Sequence, residues 1–285
     1  MEEILIDLNF KKAIHTTEGE VILDIALRVV QNGFITLFGK SGVGKTTLLR
    51  MIAGLTSPDS GYIKVGDNIW YDESKGINTK TQKRNIGFVF QDYALFPNMT
   101  VKEHLLYAQM QEDLAHVDEL LNIFHLTGLS ERKPGTLSGG QNQRLSVARA
   151  LARKPQILLL DEPFSALDVE TRLILQEEII LAHKNFRATT ILVSHDIDEI
   201  LKLSDHVYMI DNGKIVKDGK ADEFFNIAKI EKDFSFPAKI VEIKNNIVTV
   251  LINGTNFSFV EENPNNLSIE STVQIRIIGG KVVRD

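Results

Sequence analysis

Apolar and polar residues alternate in two stretches near the start of the chain, at residues 4–8 and 21–27. Alternation with a period of two predicts strands with one buried face, so residues 4–30 are expected to form an antiparallel layer. Short apolar runs predict further strands at residues 34–38, 62–66, 86–90, 157–160, 190–193 and 206–210. Apolar residues at helical spacing predict helices at residues 46–53, 101–124, 145–152, 169–184 and 197–203.

The order of these elements predicts an α/β fold. Strands that alternate with helices imply a mostly parallel sheet with ligands at the strand ends. The helical run from residue 101 predicts a helical subdomain at about residues 92–155 within a main domain of residues 1–233. Residues 240–243, 247–252, 257–260 and 273–277 instead predict short strands, with a turn at Asn253-Gly254. Residues 234–285 are therefore expected to form a small all-β, barrel-like (OB-like) domain.

Composition narrows the class of protein. Of the 285 residues, 43% are hydrophobic, which suffices for a sizeable core, and the net charge of −6 comes with dispersed Lys and Arg. No electrostatic footprint for nucleic acid is expected from that pattern. The chain has no cysteine, which excludes disulfides and thiol catalysis. The acidic start predicts no secretory signal, and no apolar run reaches the length of a membrane span, so any membrane role is expected to use partner chains.

The strongest candidate for chemistry is the glycine-rich loop between the predicted strand 34–38 and the predicted helix 46–53. It has the phosphate-loop spacing of two glycines followed by Lys and a hydroxyl residue. Inward-pointing N–H groups and the helix dipole favour phosphate there, Lys45 would reach the β- and γ-phosphates, and the Thr46 hydroxyl would bind Mg²⁺. A glycine turn that binds nothing is the alternative. The predicted nucleotide-binding residues of the loop are Gly39, Lys40, Ser41, Gly42, Val43, Gly44, Lys45, Thr46 and Thr47.

Further motifs follow in a fixed order. Residues 137–141 (Leu-Ser-Gly-Gly-Gln, here the signature segment), 160–163 (Leu-Asp-Glu-Pro), 165–168 (Ser-Ala-Leu-Asp) and 194–196 (Ser-His-Asp) resemble the signature, Walker B, D-loop and switch motifs of ABC-type ATPases. Gln91 resembles their Q-loop glutamine. The resemblance covers about residues 1–230. A P-loop kinase would require the signature segment to be a coincidence.

Each motif has a predicted role in phosphoryl transfer to water. Asp161 at a strand end would hold Mg²⁺, and Glu162 would act as the general base. Gln91 would contact Mg²⁺ and the attacking water, and His195 would hydrogen-bond the γ-phosphate. The family resemblance implies an aromatic residue stacked on adenine, for which the candidates are His15, which we favour, and Phe10.

The resemblance also implies partners. ABC ATPases pair head to tail as homodimers, so the signature segment of one copy would bind the γ-phosphate held by Lys45 of the other. The chain is most similar to ATP-binding subunits of bacterial importers, in particular molybdate importers, with sulfate, ferric iron and polyamine importers as alternatives. That implies membrane permease subunits, indirectly a solute-binding protein, and a peripheral place on the cytoplasmic face of the membrane. A soluble ABC ATPase outside transport is the rival. The residues assigned to the composite site are Ser138, Gly139, Gly140, Gln141 and Asp168.

Overall fold

The computed structural model describes residues 3–16, 19–225, 235–244, 247–252, 255–260, 267–269, 271–278 and 281–284. The chain divides into two compact units, Met1–Ala221 and Asp222–Asp285. The predicted domain boundary at residues 233 and 234 lies outside the described residues, as does the predicted turn at Asn253-Gly254.

The strands are β1 (Ile4–Thr16), β2 (Gly19–Val30), β3 (Phe34–Phe38), β4 (Ser60–Val65), β5 (Asn68–Asp72), β6 (Ile77–Asn78), β7 (Ile86–Val89), β8 (Ile157–Asp161), β9 (Thr189–Val193), β10 (His206–Asp211), β11 (Lys214–Lys220), β12 (Ser235–Lys244), β13 (Ile247–Ile252), β14 (Thr255–Val260), β15 (Thr272–Ile278) and β16 (Lys281–Arg284). The helices are α1 (Lys45–Ala53), α2 (Val101–Ala108), α3 (Leu114–Ile123), α4 (Gly139–Ala152), α5 (Val169–Phe186), α6 (Ile197–Leu203) and α7 (Ala221–Phe224), with short 3₁₀ turns at Thr81–Lys83, Thr127–Leu129 and Pro134–Thr136.

The central sheet of the first unit has the strand order β11-β10-β3-β9-β8-β7. Neighbours from β10 to β7 run parallel, and β11 returns antiparallel to β10. Along β8, Leu158 and Leu160 pack into one hydrophobic cluster, whereas Ile157 and Leu159 pack into another. Because successive strand residues point to opposite faces, a sheet covered on both sides needs such continuous apolar runs. The predicted α/β fold is confirmed.

A second sheet forms the antiparallel layer predicted for the start of the chain. β1 and β2 pair in register, with Leu8 opposite Leu27 and Phe10 opposite Ile25, and the strand order is β2-β1-β4-β5-β6. These four residues are buried, so one face of the hairpin joins the cluster that also holds α1. The sequence did not reveal β5 and β6, which are short and follow tight turns.

The helical region differs from the prediction of one continuous run at residues 101–124, because α2 ends at Ala108 and α3 begins at Leu114. The side chain of Gln109 donates to the Asp113 carbonyl oxygen and accepts from the Asp113 N–H, which closes the connection. The Asp113 carboxylate then accepts from the His116 N–H as the cap of α3. A capping aspartate inside the run is a start signal that helical spacing alone did not reveal.

A buried arginine closes the C-terminal end of α1. Gly54 adopts a left-handed conformation with φ of 78°, which stops the helix. The Arg84 guanidinium is 1% exposed and donates to the Met51 and Ile52 carbonyl oxygens at 2.8 and 2.7 Å, and to the Thr79 carbonyl oxygen at 2.9 Å. Arg84 therefore ties the last turn of α1 to the loop after β6.

The second unit is a single antiparallel sheet among the described residues, with the strand order β14-β13-β12-β15-β16. Its two edge strands, β14 and β16, approach each other, as in a barrel-like sheet. Ala238, Ile240, Val248, Val250 and Phe259 form its buried core. The strands predicted from residue 240 onward all fall inside observed strands, while β16 was not predicted.

Candidate functional site

The glycine-rich loop joins the end of β3 to the first turn of α1, as predicted. Gly39, Gly42 and Gly44 have φ values of 151°, 83° and 100°, a region that favours glycine. A Cβ atom on Gly39 would lie 2.3 Å from the Ile210 carbonyl oxygen, and one on Gly44 would lie 2.5 Å from a methyl carbon of Leu23. Gly39 is therefore required for steric as well as conformational reasons, because the close atom belongs to the backbone, whereas at Gly44 the positive φ is the stronger reason.

Lys45 folds its side chain back over this loop. Its Nζ donates to the Gly39 and Lys40 carbonyl oxygens, each at 2.7 Å, and the residue is only 5% exposed. Burial lowers the pKa of Lys45, while the nearby carboxylates of Glu162 and Asp161 act in the opposite direction. An ammonium group held at the mouth of a glycine loop can exchange neutral carbonyl acceptors for the charged oxygens of a phosphate.

Thr46 meets the carboxyl end of β8. Its hydroxyl donates to Asp161 Oδ1 at 2.8 Å, and Asp161 is 4% exposed. Burial raises the pKa of Asp161, the Thr46 hydrogen bond partly offsets this shift, and the charge of Glu162 adds to it. Adjacent hydroxyl and carboxylate oxygens are the hard ligands that Mg²⁺ prefers, usually completed by waters and substrate phosphates. The two predicted metal ligands Thr46 and Asp161 thus fit that ion.

One cavity of about 530 Å³ brings nine of the predicted site residues together. The N-terminal end of α1 contributes the glycine-rich loop, the segment after β7 contributes Gln91, and the segment after β8 contributes Glu162. The predicted aromatic residue His15 also lines this cavity, whereas Phe10 is 1% exposed in the core and so is ruled out as a stacking residue. Val43 packs against that core instead of lining the cavity. The lining residues are Ile14, His15, Ser41, Gly42, Gly44, Lys45, Thr46, Thr47, Gln91 and Glu162.

Glu162 and His195 face each other at the edge of this site. His195 Nδ1 lies 3.9 Å from Glu162 Oε1, and the two side chains are 68% and 25% exposed. Glu162 has φ of 47°, and its carbonyl oxygen accepts from the Ser165 hydroxyl at 3.1 Å. Next to His195, the Ser194 hydroxyl donates to Glu199 Oε2 at 2.6 Å. The Ser165 hydroxyl therefore holds the backbone of Glu162, whose carboxylate is partly open to solvent beside His195.

The signature segment lies elsewhere in the same unit. Ser138 caps α4 by accepting from the Gln141 N–H, and the Gln141 side chain accepts from the Ser138 N–H, a reciprocal capping box. Residues 139–141 form the first turn of α4, so the helix predicted at residues 145–152 is present and begins six residues earlier. A Cβ on Gly140 would lie 2.3 Å from the Thr171 Cγ2 atom. The described residues that line the 530 Å³ cavity include none from the signature segment.

Asp168, the predicted D-loop aspartate, caps α5. Its carboxylate accepts from the Thr171 N–H at 3.0 Å and from the Thr171 hydroxyl at 2.7 Å, and these bonds lower its pKa. Asp168 is exposed and, like the signature segment, does not line the cavity. The structure thus gathers His15, part of the glycine loop, Gln91 and Glu162 around the cavity, with Asp161 bonded to Thr46. The signature segment and Asp168 lie outside the cavity, and both lie against Thr171.

Sequence reasoning missed Arg149, which lies in the last turn of α4. Its guanidinium donates to the carbonyl oxygens of Tyr93 and Ala94, shortly after Gln91. The signal available in the sequence is an arginine between Ala148 and Ala150 on a helix that is otherwise mostly apolar there. Spacing along the helix does not reveal a partner that lies 55 residues away in sequence.

The fold and the site together define a nucleotide-binding domain of the phosphate-loop class: a glycine loop, a lysine, a hydroxyl residue and a strand-end aspartate meet at one sheet edge. A family model described as ABC transporter matches residues 22–165, half of the chain. The chain belongs to the ABC transporter family. The resemblance inferred from the signature segment and its companion motifs is confirmed.

Two curated relatives are import proteins. The molybdenum import ATP-binding protein ModC of Vibrio parahaemolyticus is 39% identical over 218 residues, which cover 76% of this chain and 58% of that protein. The sulfate/thiosulfate import ATP-binding protein CysA 1 of Agrobacterium fabrum is 43% identical over 223 residues, covering 75% of this chain and 63% of that protein. The chain therefore spans less than two thirds of the length of these relatives.

Solved structures resemble the chain in fold. An ATP-binding cassette determined as a dimer in a post-hydrolysis state, bound to ADP and Pi, has a TM-score of 0.64 at 27% identity and covers 76% of this chain and 99% of that one. The cbiO1 protein from Clostridium perfringens has a TM-score of 0.68, covers 81% of this chain and 94% of its own, and at 24% identity supports the fold alone. Within the described residues, none of the helices is both long and apolar enough to cross a bilayer.

Proposed function

We propose that the chain binds and hydrolyses ATP as the nucleotide-binding subunit of an ABC importer. The observation that carries this proposal is the meeting of Lys45, Thr46, Gln91 and Glu162 around one cavity, with Asp161 hydrogen-bonded to Thr46. These residues supply positive charge for phosphates, oxygen ligands for a metal and a carboxylate for proton transfer. Those are the requirements of phosphoryl transfer to water.

The chain's own groups account for binding and orientation. The N–H groups of the glycine loop and the Lys45 ammonium would hold the phosphates, and His15 would stack on adenine. Thr46, Asp161 and Gln91 would hold Mg²⁺, which when bound neutralises phosphate charge.

The hydrolytic step falls to groups at the solvent-facing edge of the site. Glu162 would accept the proton of the attacking water, because its carboxylate is one residue beyond Asp161 and reachable from solvent. His195, which faces Glu162, would donate a hydrogen bond to the γ-phosphate.

The general-base role predicts the behaviour of Glu162→Gln. This variant keeps the shape of the side chain and loses the proton acceptor, so it should bind ATP, stay dimeric and hydrolyse ATP at least about 100-fold more slowly. The measurement is phosphate release together with ATP binding for the purified full chain. Glu131→Gln, an exposed glutamate of the helical region, is the matched control. Turnover near the wild-type rate in Glu162→Gln would reject Glu162 as the base.

A head-to-tail homodimer accounts for the groups that one chain keeps apart. Ser138, Gly139, Gly140 and Gln141 present a helix N-terminus, where N–H groups favour anions, on a surface away from Lys45. In the proposed dimer this surface and Asp168 of one copy complete the ATP site of the other. The similar cassette solved as a dimer with ADP and Pi supports the pairing of two copies.

We further propose that the chain acts with membrane permease subunits on the cytoplasmic face of the membrane, and indirectly with a solute-binding protein. Residues 93–101 and the helices after them would contact the permease, and no nucleic-acid partner is proposed. The ModC relatives favour molybdate as the solute, and the CysA relatives make sulfate the second candidate. Ferric iron and polyamines remain further alternatives to these two.

Uptake of radiolabelled molybdate and sulfate by source cells that carry Glu162→Gln tests the choice of solute. Loss of molybdate uptake alone supports the first solute, and loss of sulfate uptake alone the second. Unchanged uptake of both ions, and of iron and polyamines, would reject the importer role.

Residues 1–233 are proposed as the ATPase domain and residues 234–285 as the appended β-domain.

A further inference from the structure

The backbone just after Gln91 has an unusual conformation. Tyr93 and Ala94 have φ values of 59° and 48°, and neither is glycine. Residues other than glycine rarely adopt this left-handed region of φ. Two consecutive residues stay in it only when surrounding contacts determine the conformation. A specific contact is therefore expected at this point of the chain.

Arg149 provides that contact from α4. Its Nη2 donates to the Tyr93 carbonyl oxygen at 3.0 Å, and its Nη1 donates to the Ala94 carbonyl oxygen. A planar guanidinium can serve two adjacent carbonyl oxygens at once, which an ammonium group cannot do with the same geometry. Both unusual residues are thus held by one side chain.

The same helix approaches Tyr93 a second time. A Cβ on Gly139 would lie 3.5 Å from the Tyr93 hydroxyl, so this side chain lies beside the first turn of α4. Gly139 and Arg149 are ten residues apart, or about 15 Å along a helix. Because helical side chains lean toward the N-terminus, the Arg149 side chain extends from the last turn of α4 toward the backbone of Tyr93, and the Tyr93 side chain extends on toward Gly139. The segment therefore lies beside the first turn of α4 and is hydrogen-bonded to its last turn.

A third contact holds the far side of this segment. The Phe96 N–H donates to His104 Nε2 at 2.9 Å, and His104 Nδ1 lies 2.7 Å from the Thr100 carbonyl oxygen. Burial lowers the pKa of His104, which keeps Nε2 available as an acceptor. With residue 96 held by α2 and residues 93–94 held by α4, the path of the chain that carries Gln91 to the cavity is determined.

We propose that Arg149 is a positioning residue for Gln91: by holding the Tyr93 and Ala94 carbonyl oxygens, it fixes the chain that places Gln91 in the ATP cavity and ties it to α4. This inference rests on the proposed ATP hydrolysis. Arg149 does not line the cavity and does not act on the nucleotide itself. Its loss should therefore affect the chemical step and not the binding of ATP.

The test is a double-mutant cycle on the purified full chain, with kcat and KM for ATP measured in wild type, Arg149→Lys, Gln91→Ala and the double variant. A displaced catalytic group can cost up to about 100-fold in rate, so Arg149→Lys should lower kcat by about 10- to 100-fold with KM unchanged within about twofold. In the Gln91→Ala background the same substitution should change kcat by less than about twofold, because the group that it positions is absent.

Arg153→Lys is the matched control, because Arg153 is four residues further along and donates to the Gln82 carbonyl oxygen at 2.8 Å, away from this segment. It should leave kcat and KM unchanged. Effects of Arg149→Lys and Gln91→Ala that multiply independently would overturn the proposal. So would an increase in KM without a loss of kcat.

Amide hydrogen exchange supplies a readout that does not need hydrolysis. In Arg149→Lys the amides of residues 93, 94 and 96 should exchange faster, while those within α4 keep the wild-type rate. Equal acceleration throughout α4 would indicate general destabilisation and overturn the proposal. If wild type fails to hydrolyse ATP, the proposed function is rejected, and unchanged exchange at residues 93–96 then overturns the anchoring role of Arg149 as well.

Discussion

Replacement of Arg84 by methionine tests how α1 is held behind the glycine loop. Arg84→Met keeps an unbranched side chain in a site that is 1% exposed and removes every hydrogen-bond donor. Burial lowers the pKa of Arg84 to about 10, so the guanidinium is still charged at neutral pH and all its donors are available in the wild type. The substitution therefore removes from the interior a charged group that makes several hydrogen bonds.

The hydrogen bonds that Arg84 makes determine how much free energy of unfolding the substitution should cost. The Met51 carbonyl oxygen keeps a bond from the Gly54 N–H at 3.1 Å, but the Ile52 and Thr79 carbonyl oxygens lose their bonds to Arg84 of 2.7 and 2.9 Å. A buried polar group left unpaired costs about 1–3 kcal/mol. Two such groups cost about 4 kcal/mol, and release of a buried guanidinium returns part of this, so we expect a loss of about 3 kcal/mol.

Thermal unfolding of the full chain measures the loss. At about 2–4 °C per kcal/mol for a unit of this size, Arg84→Met should lower the Tm of the first unit by about 6–12 °C. Lys83→Met, an exposed neighbour, is the control and should stay within about 0.5 kcal/mol of wild type. Arg84→Lys should fall between the two, because one ammonium group cannot reach all the carbonyl oxygens. A loss below about 1 kcal/mol in Arg84→Met would refute the reasoning.

Two further predictions concern the charged residues. Lys45→Ala should weaken ATP binding itself, because the buried ammonium beside the loop is lost, and calorimetric titration of ATP should show at least about tenfold weaker binding; wild-type affinity would contradict this. Burial raises the pKa of Glu178 to about 7, and Arg144 at 3.1 Å opposes this shift; His125 lies 3.9 Å from the same carboxylate. The native carboxyl therefore keeps its proton to higher pH than the unfolded one. The free energy of unfolding should fall by about 2–3 kcal/mol as pH rises from 5 to 8. Urea unfolding should show this decline in wild type and in the exposed control Glu177→Gln but not in Glu178→Gln, and equal slopes in all three would contradict it.

Local patterns predicted the elements that form the site. The strand Phe34–Phe38 and the helix Ile197–Leu203 have the predicted bounds, and the glycine loop joins the expected strand and helix. These elements carry their own signals, since a buried parallel strand is continuously apolar and a phosphate loop has fixed spacing. Thr46 and Asp161 were predicted as metal ligands from separate motifs, and the structure places their oxygens 2.8 Å apart.

Contacts between distant parts of the chain were not predictable in this way. Arg84 lies 32 residues from Ile52, and Arg149 lies 55 residues from Ala94, yet each arginine determines a backbone conformation. Hydrophobic periodicity reports which face of an element is buried and carries no information on which carbonyl oxygen a long polar side chain reaches. The division between α2 and α3 was missed for a related reason, because the capping role of Asp113 interrupts a pattern whose apolar spacing continues across it.

The shared ATP site is tested most directly by mixing two inactive variants of the full chain. Lys45→Ala removes the phosphate-binding lysine, and Ser138→Arg blocks the signature segment, so neither homodimer contains an intact site. In a mixed head-to-tail dimer, one site pairs the intact Lys45 of one copy with the intact Ser138 of the other. ATP hydrolysis should therefore appear only on mixing. No activity on mixing, with wild type active and mixed dimers formed, would contradict a site shared between copies.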